Sequence, residues 1–242
     1  PIHHSGVGLL EKWMTTHYIK TASDIIVLTQ SFIPIIEKRF GYSKEHIHYM
    51  PHGRMSTYKQ QNTTAPQTDC KNINFLFFGR IEEYKGLHIL GKAYKKLVQS
   101  YSNISMTVAG SGDFSKYDSM FKELPQVDIV NRYIEDKEID NYFSIPNTIL
   151  VLPYLDASQS GVIPVALEYK IPIIASDAGG LKEQMNNGDF GLFFQPGNAN
   201  ALMQQMEYAV KHPEFLAIEK KKMAEYLKTL NWDVVTRKVI QI

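Results

Sequence analysis

The segment Ser158–Glu183 contains two predicted helix starts, marked by polar residues and glycines, with a carboxylate between them. A hydroxyl-rich run precedes a helix predicted to open at Gly161, and Glu168 lies two turns further on. The pair Gly179-Gly180 then stands at the start of another predicted helix. Helix starts carry unsatisfied N–H groups and a partial positive charge, so the arrangement suits a phosphorylated ligand. A nearby carboxylate can accept hydrogen bonds from ribose hydroxyls.

A second segment, Phe77–Gly86, places two cations between a predicted strand and a predicted helix. Gly79 permits a tight turn after the strand, and Arg80 and Lys85 follow it. Arginine offers a bidentate fork to a diphosphate, and lysine offers a point charge. The alternative is that both cations pair with the glutamates of the same loop, which is a common surface arrangement.

A third segment, Val108–Asp113, contains the pattern Gly110-Ser-Gly112 after a predicted strand. It is half of a dinucleotide-binding fingerprint, but no third glycine follows at the required spacing. A strand-to-helix turn also needs glycine for its conformation alone. The pattern therefore leaves a structural role and a binding role equally open for Gly110.

Together these segments resemble the nucleotide-sugar-binding core of glycosyltransferase family 4, the retaining GT-B group. On this resemblance Arg80 and Lys85 hold the donor's phosphates and offset the charge of the leaving group, so they are the predicted catalytic residues. The resemblance places Gly79 in the same loop and Gly110 under the donor. The donor is a nucleotide diphosphate-sugar, which is a substrate and not a cofactor.

The resemblance also implies contacts to the base and the ribose. Tyr133 and Ile134 follow a predicted strand and would line the nucleobase pocket, largely through backbone groups. The alternative for Tyr133 is that its ring packs in the core. Glu168 matches the second of two glutamates in the family pattern, which binds the ribose hydroxyls.

Ser160 occupies the position of the first glutamate in that pattern, which contacts the transferred sugar in the family. We expect Ser160 to be the N-cap of the helix that opens at Gly161. The amides of Gly161 and Val162 would then point at phosphate. The run Gln159-Ser160-Gly161 resembles a subgroup from bacterial surface-polysaccharide clusters that also lacks this glutamate.

The elements that position these residues alternate between short β-rich runs and amphipathic segments from Ile25 onward, which predicts a parallel sheet with helical crossovers. The predicted fold class is α/β, a doubly wound, Rossmann-like sheet, and by resemblance the C-terminal half of a GT-B fold. The predicted strands are Ile25–Thr29, Ile47–Met50, Asn74–Phe78, Ser105–Ala109, Val127–Asn131, Thr148–Leu152, Ile171–Ala175 and Gly191–Phe194. Helices predicted between them include Leu87–Ser102 and Asp136–Phe143.

A polar run from Arg54 to Asn72, rich in Gln, Asn and Thr, lacks apolar periodicity and predicts a linker. Residues 1–53 would be the incomplete tail of an N-terminal GT-B domain. Residues 73–230 would be the C-terminal nucleotide-sugar-binding domain, and residues 231–242 would start a terminal helix. The missing first domain would supply the acceptor site.

Composition narrows the partners and the compartment. Twenty-six Lys and Arg against 25 Asp and Glu give a net charge of +1, which favours no nucleic-acid partner. The single Cys70 fits a reducing compartment, so we expect a cytoplasmic protein, with membrane contact at the inner face only through the missing domain. No cluster has metal-ligand spacing, so no metal is expected.

The expected activity is transfer of a sugar to a glycan or lipid-linked glycan acceptor with retention, by a hexosyltransferase whose isolated second domain is inactive. Ser160 leaves a non-catalytic nucleotide-sugar-binding subunit as an alternative. A Rossmann NAD-dependent oxidoreductase is a further alternative, although the segment around Gly110 lacks the third glycine.

Overall fold

A computed structural model describes residues 8–55 and 72–240 of the chain. These residues form two compact units, one from the described parts of Pro1–Gly53 and Thr229–Ile242, the other from that of Arg54–Lys228. Cys70 and most of the predicted linker lie outside the described residues.

The first unit is built on a pair of short parallel strands, in which Ile25 lies opposite Ile47. The strands are β1 (Ile25–Val27) and β2 (Ile47–Tyr49), and the helices are α1 (Leu9–Thr21), α2 (Ile33–Phe40) and α10 (Trp232–Ile240). Trp232 packs against Gly53, where an added Cβ would lie 2.5 Å from the indole ring. The terminal helix therefore belongs to the same unit as the N-terminal segment.

The second unit contains a six-stranded parallel sheet with the order β5-β4-β3-β6-β7-β8. Its strands are β3 (Ile73–Phe78), β4 (Ile104–Ala109), β5 (Val127–Val130), β6 (Thr148–Leu152), β7 (Ile173–Ser176) and β8 (Leu192–Phe194). The order runs outward in opposite directions from β3 and β6, as in a Rossmann fold. The prediction of a doubly wound α/β sheet is confirmed.

Helices cover both faces of this sheet. They are α3 (Leu87–Leu97), α4 (Asp118–Lys122), α5 (Asp140–Phe143), α6 (Val162–Tyr169), α7 (Leu181–Gln184), α8 (Ala199–Lys211) and α9 (Glu214–Thr229). On one face, Phe75 and Phe77 belong to a core that includes residues of α3 and α8. On the other, Phe78 meets the ring of Phe143 edge-on. Burial on both faces explains why the inner strands β3, β4, β6 and β7 are almost continuously apolar.

The carboxyl ends of β3 and β6 meet at the point where the strand order reverses. The N–H of Leu155, which follows β6, donates to the carbonyl of Tyr84, which follows β3, over 2.7 Å. A Cβ added to Gly86 would lie 1.9 Å from the carbonyl oxygen of Pro153. The loops after β3 and β6 are therefore in direct contact and border a crevice at the carboxyl ends of these strands. In open α/β sheets, ligands bind in the crevice at this position.

Among the described residues, no helix is both long and apolar enough to cross a membrane.

Candidate functional site

The loop after β3 and the turn after β4 run side by side. The N–H of Gly79 donates to the carbonyl of Ala109 over 2.9 Å, and the N–H of Ile81 donates to the carbonyl of Ser111 over 2.8 Å. A Cβ on Gly110 would lie only 2.0 Å from the carbonyl oxygen of Gly79. The backbones of the two segments are thus too close for a side chain at Gly110, which supports the structural role for this glycine.

Lys85 is a buried cation at the mouth of the crevice. It is only 9% exposed, and its Nζ lies 5.2 Å from the centre of the Tyr154 ring. No carboxylate in the described part of the chain lies within ion-pair distance of this Nζ. Burial, with a smaller contribution from the charge of Arg80, lowers the pKa of Lys85 to about 8.

Arg80 differs from Lys85 because it pairs with Glu82 over 3.0 Å and is exposed. The expectation that both cations pair within a surface loop therefore describes Arg80 and fails for Lys85. The sequence did not distinguish the two. Lys85 lies on a 3₁₀ turn, Glu83–Lys85, and it is the buried residue of that turn.

Gly79 joins the two predicted segments in space. Its φ is +110°, and a Cβ built on it would lie 3.1 Å from Nζ of Lys85 and 3.6 Å from Cγ2 of Val162. Val162 is the first residue of α6. The absence of a side chain at Gly79 thus leaves a space bounded by an ammonium group and a helix start, which suits an anion.

The prediction that Ser160 is the N-cap of α6 is wrong by one position. The helix begins at Val162, and Gly161 is its N-cap. The hydroxyl of Ser160 still accepts the N–H of Val162 over 3.3 Å, and it lies 3.3 Å from the hydroxyl of Tyr154. The amide of Val162, which was predicted to point at phosphate, therefore donates to Ser160 instead.

Gln184, at the end of α7, braces Ser160 and was not among the predicted site residues. Its Oε1 accepts the backbone N–H of Ser160 over 2.6 Å, and its Nε2 donates to the carbonyl of Ser160 over 3.2 Å. Both contacts join residues 24 positions apart, so no local pattern indicated them. They fix the backbone of the loop that leads into α6.

Glu168 is buried in α6, about 9 Å along the helix axis from Val162. Its carboxylate accepts two hydrogen bonds from Arg54, each 2.9 Å long. This contact raises the pKa of Arg54. Arg54 is a second residue of the site that sequence analysis missed, because it had been assigned to a linker.

Tyr133 and Ile134 have opposite environments. Tyr133 is 70% exposed, so the expectation that its ring packs in the core is wrong. Ile134 is buried. The carbonyl of Tyr133 accepts a hydrogen bond from Arg132 over 2.9 Å, and both residues follow the carboxyl end of β5. The nucleobase contact remains a prediction for this segment.

Within the described ranges, no group of three His, Cys, Asp or Glu side chains is placed to hold a metal ion. The absence of a metal from the reaction remains a prediction.

The residues and fold above match a known family. The family model described as "Glycosyl transferases group 1" matches residues 59–229, and the chain therefore belongs to this family. Its structural neighbours are GT-B glycosyltransferases, and the parallel sheet flanked by helices is the Rossmann-like fold that they share.

A curated relative is alpha-D-kanosaminyltransferase of Streptomyces kanamyceticus, 20% identical over 227 residues, covering 89% of this chain and 57% of the relative. Sucrose-phosphate synthase of Thermosynechococcus elongatus superposes with a TM-score of 0.76 at 18% identity, over 98% of this chain and 61% of that one. The structure of Anabaena HepE in complex with UDP-glucose superposes with a TM-score of 0.77 at 16% identity, over 97% of this chain and 67% of that one. The chain spans from 38% to 57% of the lengths of its curated relatives.

Proposed function

We propose that this chain is the donor-binding part of a family 4 glycosyltransferase. It would bind a nucleotide diphosphate-sugar and transfer the sugar, with retention, to a glycan or lipid-linked glycan. The observation that carries the proposal is Lys85, a buried ammonium group without a carboxylate partner among the described residues, placed beside Gly79 at the crevice.

A diphosphate would compensate the cost of burying Lys85. An ammonium group removed from water loses hydration, and an opposite charge or a set of acceptors restores part of that loss. A phosphate in the space beside Gly79 would meet Nζ of Lys85 and the start of α6. During transfer, Lys85 and Arg80 would stabilise the charge that develops on the departing diphosphate.

The other contacts to the nucleotide-sugar would be made at the same edge of the sheet. The segment of Tyr133 and Ile134 would meet the base, and Glu168 would accept the ribose hydroxyls. Ser160 would lie near the transferred sugar, and the amide of Gly161 would point at phosphate. In this proposal the donor sugar is a hexose, the reaction uses neither metal nor cofactor, and the resemblance of Gln159-Ser160-Gly161 supports a role in surface-polysaccharide synthesis.

The acceptor would bind outside the second unit, in a first domain that completes the cleft. Transfer between two substrates needs both to be held in one geometry. We also propose a cytoplasmic location, with contact at the inner face of the membrane made by that first domain.

The comparisons favour neither alternative to sugar transfer. Ser160 in place of the family's sugar-contacting glutamate is compatible with a subunit that binds nucleotide-sugar without transferring it. Membership of the glycosyltransferase family gives no support to an NAD-dependent oxidoreductase.

Thermal melting with UDP, GDP and ADP, each compared with its nucleoside, tests the proposal. We expect one nucleoside diphosphate to raise the melting temperature much more than its nucleoside does, since saturation at 100 times Kd adds about 2.7 kcal/mol. Lys85→Ala should abolish most of that difference. The matched control is Lys95→Ala, which removes an exposed lysine paired with Glu123. Equal shifts from every diphosphate and nucleoside would contradict the proposal.

A further inference from the structure

Arg54 and Glu168 form a two-point ion pair across 114 positions of the sequence. Nε of Arg54 donates to Oε1 of Glu168 and Nη2 donates to Oε2, each over 2.9 Å. The side chain of Glu168 is 3% exposed and that of Arg54 is 40% exposed. A buried acid is thus held by a partly exposed base that begins the second unit.

The geometry of the pair determines how the carboxylate can bind anything else. A bidentate guanidinium contact fixes the carboxylate plane as well as compensating its charge. A carboxylate offers about four acceptor positions, of which this contact occupies two. The other two, one on each oxygen, are then held in fixed directions that diverge from each other.

We propose that Arg54 is a positioning residue for the nucleotide's ribose and acts through Glu168. The inference rests on the proposed function, in which Glu168 accepts the two ribose hydroxyls. Arg54 holds the carboxylate so that a remaining acceptor position on one of its oxygens is directed at the ribose hydroxyls. Loss of Arg54 leaves a buried carboxylate without this constraint, and selectivity for ribose falls.

The test compares the affinities of the whole chain for UDP, GDP and ADP with those for their 2′,3′-dideoxy forms, by calorimetry. For the nucleotide that binds most tightly, the ratio of the affinity of the ribose form to that of the dideoxy form should be about ten or more in the wild-type protein. The reason is that hydrogen bonds to charged groups are strong. Arg54→Ala should bring this ratio close to one. Arg54→Lys keeps the charge without the fork and should recover only part of it.

Two further variants separate the positioning role from a loss of folding. Glu168→Gln should lower the ratio, and adding Arg54→Ala to it should lower the ratio no further, since the two residues act as one unit. Lys95→Ala, which removes an exposed ion pair, should keep the wild-type ratio. A generally destabilised protein would lose affinity for both forms equally, which leaves the ratio unchanged and overturns the inference.

The other outcomes are equally decisive. A ratio that rises in Arg54→Ala or Arg54→Lys would show that Arg54 competes with the ribose, and it would overturn the positioning role while leaving the proposed function intact. If Arg54→Ala does not fold, the ratio in Arg54→Lys decides, and a wild-type value there overturns the inference. Wild-type protein that binds both forms equally would overturn the ribose role of Glu168 itself, and the inference with it.

Discussion

At the scale of single residues, the two cations of the Gly79 loop have different roles despite their similar sequence context. Arg80 is exposed and pairs with Glu82, whereas Lys85 is buried against Tyr154. A buried ammonium group is the more sensitive of the two to what occupies the crevice. The predictions at this scale therefore concern Lys85 and the glycine beside it.

The affinity for a nucleoside diphosphate should fall as the pH rises above about 8. Burial lowers the pKa of Lys85 to about 8, and a bound diphosphate would raise it again. Well below pH 8 the ammonium group is already charged, so its contribution to the affinity is constant. Above it, binding must take up a proton, and the affinity falls until the pKa of the complex is reached.

Calorimetry at pH 8.5 in two buffers of different ionisation enthalpy measures this proton uptake. The charged neighbours named above, Arg80 and Glu82, are present in both the wild type and the control variant Lys85→Met. The variant should show a flat profile over the same range. Proton uptake of equal size in wild type and variant would assign it to another group.

Gly79→Ala should weaken diphosphate binding and destabilise the fold. At φ +110° a side chain is strained, which costs on the order of 1 kcal/mol, and its Cβ would also enter the space beside Nζ of Lys85. Gly41→Ala is the matched control, because Gly41 has φ +73° with nothing within 4 Å of an added Cβ. Chemical denaturation and calorimetry should show lost stability in both variants, but lost affinity only in Gly79→Ala.

At the scale of elements, the strands were predictable and several helix ends were not. All eight predicted strands are present. The inner strands β3, β4, β6 and β7 are almost fully buried and leave continuous apolar runs, which made them the easiest to predict. The helix predicted as Leu87–Ser102 ends at Leu97, and the one predicted as Asp136–Phe143 is a 3₁₀ turn followed by the short α5. Helix ends depend on local capping and packing, which periodicity does not report.

The site was predictable where family motifs are local and unpredictable where the contacts span the chain. The segment around Gly79 and the start of α6, each singled out by a local motif, meet at the crevice. Arg54 and Gln184 were missed because each contacts its partner only after the sheet has formed. A polar residue in a linker or at the end of a short helix carries no sequence signal of such a contact.

Gln184→Ala should loosen the loop that leads into α6. It removes two hydrogen bonds to the backbone of Ser160, each of which contributes about 1 kcal/mol. Hydrogen exchange of the amides of Ser160 and Val162 should quicken, whereas exchange in α8 should not change. Gln204→Ala, at an exposed position of α8, is the control. Unchanged exchange at Ser160 would show that Gln184 does not hold this loop in place.

At the scale of the whole molecule, the chain should bind a donor without transferring its sugar. It spans 57% of the length of alpha-D-kanosaminyltransferase, and in the proposed function the acceptor binds to a further domain. Holding both substrates in one geometry supplies up to about 7–11 kcal/mol of a barrier. Incubation with labelled nucleotide-sugars and a lipid-linked acceptor extract should yield no labelled glycan, and turnover at ordinary enzymatic rates would refute this division of roles.

Titration of wild type, Arg80→Ala and Lys85→Ala with the preferred nucleoside diphosphate and with its nucleoside tests whether the loop of Gly79 binds the diphosphate. If the loop of Gly79 binds the diphosphate, both variants lose affinity for the diphosphate, Lys85→Ala the more, and keep their affinity for the nucleoside. Equal losses for the two ligands would mean that Arg80 and Lys85 serve the fold and not the phosphates.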